Sequence, residues 1–126
     1  MFSRKKSISI KDIIHASFNP SKLQRLLKIA TKHNCPETIY FVKEANTILE
    51  QLYHNKSVKM EVLEDLMENY MMEGAKFQLN LPKSVCEELR GVVDAKEGLN
   101  ECLESIRDRI LEEFLLNCRD EILEVL

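Results

Sequence analysis

Residues 35–53 (CPETIYFVKEANTILEQLY) carry apolar side chains on two adjoining helical faces, and this limits what the rest of the chain can be. Ile39, Val42, Ala45/Asn46, Leu49 and Tyr53 fall on one face at spacings of three and four. Phe41, Ala45, Ile48 and Leu52 make the second. A helix apolar over so wide an arc needs neighbours on two sides. The stretch therefore reads as the central helix of an all-α domain. Pro36 suits the first helical position, where no N–H is missed. Glu37 and Thr38 follow in the first turn, where the helix dipole favours a carboxylate, so the N-terminal tip is polar and exposed.

The chain has 126 residues, one domain's worth, and burial of about two-thirds of its unfolded surface is within reach. Gly and Pro number only three each, which disfavours disorder and all-β folds. A formal charge of −3 argues against a nucleic-acid module, the only basic cluster being Arg4, Lys5 and Lys6 near the start. Cys35, Cys86, Cys102 and Cys118 lack zinc spacing, and His15, His33 and His54 are scattered, so four free thiols and no metal are expected. No apolar run approaches the roughly 20 residues of a membrane span, and no signal-peptide pattern opens the chain. A soluble cytoplasmic domain follows as the expectation.

Taken in order, residues 1–7 read as a flexible segment and 8–126 as the folded domain. Residues 9–17 read as a short helix with Ser9 and Asp12 at capping-box spacing. Asn19-Pro20-Ser21 stops it and starts a second helix to about residue 32, with Leu23, Leu26, Leu27 and Ala30 inward. Beyond the central helix, Ser57 is the expected N-cap of a helix over 58–72, which Gly74 terminates. Its methionines, at helical spacing, read as core filling. Residues 75–82 alternate Phe77, Leu79 and Leu81 with polar positions but have no second strand to pair with. They read as a pinned loop that constrains Asn80. Pro82 opens a helix with Val85, Leu89, Val92 and Val93 inward, its end made ragged by Gly91. Residues 95–126 form one long amphipathic helix or several short ones.

No catalytic constellation is present: there is no phosphate-binding glycine loop and no nucleophile in a motif context. The carboxylates Glu101, Glu104, Asp108, Glu112 and Glu113 lie mostly opposite the apolar stripe and read as a solvated face. Bottom-up, this is a helical interaction module whose polar loops are the contact surface.

Three segments then occur in an order that resembles the regulator-of-G-protein-signalling (RGS) family. CPETIYFVKEAN resembles its signature, an acidic residue and an amide before an apolar-x-Phe-Trp helix. LMENYMMEGAKFQLNLP resembles its aromatic-ended helix, small loop and Asn-bearing turn. AKEGLNECLESIRDRILEEFLL resembles its closing run, ending in an aromatic-Leu pair at Phe114-Leu115. With the two opening helices, the resemblance covers about residues 8–126.

The resemblance implies an irregular two-lobed bundle of about nine helices, with a bend in the closing run near 109–112. It implies a module that binds the GTP or transition-state form of a heterotrimeric G-protein α subunit (Gα) and speeds its GTP hydrolysis. No cofactor or metal is implied, nor any catalytic group of the module's own, since Gα supplies its own Arg and Gln. A monomer is expected, and Gα would bring it to the inner face of the plasma membrane. Carried over by position, the Gα-contacting residues are Glu37, Thr38, Asn80, Arg109 and Glu113. Thr38 stands where the family commonly has Asn, Arg109 where it has Asp, and Glu113 where it has Arg. Val42 replaces the family Trp, and Ala95 replaces an aromatic. A scaffold that keeps the fold but lacks the activity is the alternative.

Overall fold

The computed structural model describes residues 8–126. The segment 1–7, expected to be flexible, lies outside the described residues. Among the described residues there are six helices and no strand: α1 (Ile10–Ser17), α2 (Pro20–Lys32), α3 (Pro36–Tyr53), α4 (Met60–Tyr70), α5 (Lys83–Ala95) and α6 (Leu99–Val125). The chain is all-α, with fewer and longer helices than the nine expected.

Local chemistry accounts for the first two helix starts. Ser9 Oγ accepts from the Asp12 N–H at 3.4 Å while Asp12 Oδ2 accepts from the Ser9 N–H at 3.0 Å, the reciprocal capping box. Asn19 Oδ1 caps α2 through the Lys22 N–H at 3.1 Å, with Pro20 at the first position.

Helix α3 is the centre. Ile39, Phe41, Val42, Ala45, Ile48 and Leu49 are buried, with α2 and α6 as its main neighbours and α4 beside it. Helix α1 packs on α2 and α6, and α5 packs on α6. An Arg90–Glu64 pair, Nη1–Oε1 at 2.7 Å and Nη2–Oε2 at 3.0 Å, ties α5 to α4.

The core also contains a chain of polar groups. Arg107 of α6 is 5% exposed and donates from Nη1 to Asn46 Oδ1 at 3.2 Å, and from Nε to Asp108 at 3.1 Å. Asn46 Nδ2 donates to Ser17 Oγ at 2.8 Å, and that hydroxyl donates to the Ile14 carbonyl at 2.6 Å. Helices α1, α3 and α6 are thereby joined through one amide. No buried side-chain nitrogen or oxygen among the described residues lacks a partner.

Four local expectations are corrected. Helix α4 starts at Met60, with Lys59 rather than Ser57 at the N-cap and no side-chain capping bond. The half-buried Val58 packs on the core, and residues 57–59 stay out of the helix. The same helix ends at Tyr70 rather than 72, because the Phe77 and Leu79 N–H groups bond the Asn69 and Tyr70 carbonyls at 3.0 and 2.9 Å. Gly74, at φ +77, sits in the turn beyond and donates its N–H to Gln78. Helix α5 runs through Gly91 to Ala95, since packing of Leu89 and Val93 outweighs the roughly 1 kcal/mol that an interior Gly costs. Lys96 and Gly98, both left-handed, make the turn into α6.

The closing helix does not bend at 109–112. Ile106, Ile110, Leu111 and Phe114 keep it docked without interruption, and no Pro or Gly breaks the ladder. Its non-helical residue is Cys118, at φ −131 and ψ 26. Beyond this kink Ile122 and Val125 are buried, and Glu121 meets the end of α2, with Oε1 2.5 Å from His33 Nε2 and Oε2 3.4 Å from Lys32 Nζ.

Two outcomes follow for stability. Asn46→Ala strands the Arg107 guanidinium and should cost about 2–3 kcal/mol in urea unfolding, whereas the exposed Thr47→Ala should stay within about 0.5 kcal/mol. Equal effects would mean the buried amide is dispensable. Glu121 is held below its ordinary 4.5 by bonds from His33 first, with Lys32 adding to it. A lowered carboxylate stabilises the fold above its unfolded value and loses that contribution as pH falls through the folded value. The stability gap between wild type and Glu121→Gln should therefore be present at pH 7 and shrink as the pH falls below the ordinary 4.5 of the carboxyl. A gap independent of pH would exclude this account.

Candidate functional site

The N-terminal tip of α3, the loop before α5 and the middle of α6 meet around a cavity of about 210 Å³. It is lined by Cys35, Glu37 and Thr38, by Leu79 and Asn80, and by Ile110, Glu113, Phe114 and Asn117.

Each segment is placed by a local constraint. The Cys35 N–H returns to the Ala30 carbonyl at 2.8 Å, and Asn34 takes a left-handed φ of 61 to make that tight turn. Pro36 then starts α3, and the N-cap Cys35 makes no side-chain capping bond. Glu37 and Thr38 occupy the first turn, half-buried. In the loop, Leu79 is buried and anchored to Tyr70 through its backbone, and the Leu81 N–H returns to the Leu79 carbonyl at 3.0 Å. That three-residue turn is centred on Asn80 and leaves it exposed between two inward leucines. Phe77 fixes the loop from the other side, with ring centroids 5.0 Å from Tyr40 and 6.1 Å from Tyr70. On α6, Ile110 and Phe114 are buried while Glu113 and Asn117 are exposed at a spacing of four, on the cavity side.

Four of the five residues singled out from the sequence, Glu37, Thr38, Asn80 and Glu113, thus line one cavity. Arg109 is exposed and is not part of the lining, and no ion pair joins it to Glu113 among the described residues. Sequence reasoning missed Asn117, which its spacing from Glu113 could have suggested. It also missed Cys35 as a wall, for which no local signal exists.

The cavity is acidic at its rim and apolar at its floor. Burial first, then the charges of Cys118, Glu37 and Glu113, push the Cys35 thiol above its ordinary 9.0. A thiol raised in this way is a poor nucleophile at neutral pH. Among the described residues no group of three or more His, Cys, Asp or Glu could hold a metal ion. Among the described residues no helix is long and apolar enough to cross a membrane. All four cysteines carry free thiols.

Comparison with protein-family models, curated proteins and solved structures finds no match in any of the three.

The thiol provides a measurement of the rim. Alkylation of Cys35 by iodoacetamide should have its rate–pH midpoint above 9.0. Glu37→Gln with Glu113→Gln should move the midpoint down, because two charges that disfavour the thiolate are gone. An unchanged midpoint would show that these carboxylates do not face the sulfur.

Proposed function

We propose that this chain is an RGS-like module that binds the activated form of a G-protein α subunit and accelerates its GTP hydrolysis. The observation that supports the reading is the convergence of Glu37, Thr38, Asn80 and Glu113, from three separated segments, on one cavity. A module that brings no catalytic group acts by holding the mobile segments of its partner, and so must touch several at once. A standard interface buries roughly 800 Å² per partner, more than one loop supplies. Asn80 has the central role in this reading. Its amide both donates and accepts, as needed beside the Gα glutamine and its attacking water. The module would work in the cytoplasm, at the membrane face where Gα resides.

A second reading, an interaction scaffold of similar fold without the activity, is favoured by one observation. The cavity is lined by Glu113 with no partnering cation, and Arg109 stands outside it.

Binding to Gα loaded with GDP and aluminium fluoride separates the two. A working module binds that form well above the GDP form, and Asn80→Ala lowers single-turnover hydrolysis by about tenfold to a hundredfold with the thermal midpoint unchanged. Binding without acceleration would leave the scaffold. If neither the native chain nor Arg109→Asp with Glu113→Arg binds any transition-state-loaded Gα, the RGS reading fails.

A further inference from the structure

We propose that the cavity is selective for charge, accepting from the partner's loop a cationic side chain, arginine or lysine, between the carboxylates of Glu37 and Glu113. The inference rests on the cavity being the partner-facing site, and it names the chemistry that the partner must present there.

The lining contains two carboxylates, two amides, a hydroxyl and a thiol, but no Lys, Arg or His. Lys32 and His33 are engaged by Glu121, Arg107 is held inside by Asn46 and Asp108, and Arg109 is outside the lining. Among the described residues neither Glu37 nor Glu113 belongs to an ion pair. The positive end of the α3 dipole lies at the same rim. It amounts to about half a charge against two formal ones, so the rim stays net negative. Burial and Cys118 raise the Cys35 thiol first, and both carboxylates add to the rise.

Acceptor-only carboxylates call for donors. A guanidinium offers five N–H groups and an ammonium three, whereas a partner hydroxyl offers one. An acidic side chain would meet like charge on two sides. Leu79, Ile110 and Phe114 supply an apolar surface along which a methylene stem can lie. At about 210 Å³ the cavity falls below the roughly 300–1,000 Å³ of pockets for drug-sized ligands and suits one side chain.

The test pairs a partner-free probe with the partner itself. Acetyl-Gly-Arg-Gly-amide is titrated into the whole chain while the Asn80 and Asn117 side-chain amide resonances are followed. The neutral citrulline isostere is the control. The arginine peptide should move both resonances with saturation, the citrulline peptide should bind about tenfold more weakly, and Glu37→Gln with Glu113→Gln should remove the difference. Equal binding of the two peptides, or no shift with arginine, would overturn the proposal. In the second arm, transition-state-loaded Gα is measured against wild type and the double-Gln variant. Equal affinity for both overturns charge selection while leaving the RGS reading in place. No Gα binding, alongside a charge-dependent peptide response, overturns the RGS reading and supports the charge selectivity of the cavity.

Discussion

The hydrogen bond between Arg107 and Asn46 is the constraint on which the helix arrangement depends. A guanidinium withdrawn from water is costly unless its donors are met, so α3 and α6 must hold the register that keeps the Asn46 amide against it. Apolar packing alone tolerates small slides along a helix pair. A donor that finds an acceptor at one position only does not. The same amide reaches Ser17 on α1, so the opening helix is set by the central contact as well. Asp108 beside Arg107 supplies a compensating charge at the edge of the core.

The candidate site inherits this precision. Its walls come from the first turn of α3, from α6 one to three turns past Arg107, and from a loop with no regular structure of its own. The loop is positioned because it completes the end of α4: two of its N–H groups bond carbonyls that the helix leaves open. Leu79 and Phe77 then anchor it just ahead of Asn80, by burial in one case and by ring contacts in the other. A loop held in this way can present an exposed amide at a fixed place without being buried itself. Sites of this kind combine rigidity with access, which suits recognition of a protein surface.

The rim chemistry separates two properties that the RGS resemblance joins. The positions that meet at the cavity are those the resemblance points to, apart from Arg109. The charge they carry is different. A pocket lined by Glu113 and not by Arg109 offers acceptors where an acid–base pair would offer both donors and acceptors.

Much of the architecture was legible in sequence because it follows from local rules. Periodicity in residues 35–53 identified the central helix and its two buried faces, except that Tyr53 at its end is exposed, and the Ser9/Asp12 and Asn19-Pro20 signals located the first two helix starts. The alternation of Phe77, Leu79 and Leu81 with Asn80 marked a pinned, unpaired segment. Other features were decided only by tertiary contacts. Whether Gly91 ended a helix depended on packing of its neighbours. The start of α4 depended on residues 57–59 staying extended and its end on bonds from a loop several residues away, and the bend fell at Cys118 where α6 meets the end of α2. The pairing of Arg107 with Asn46, 61 residues apart, left no local trace. Local sequence determines which elements form, because capping and periodicity act within a few turns. Which charge is buried, and which side chains share a cavity, is settled by long-range packing that no window of sequence contains.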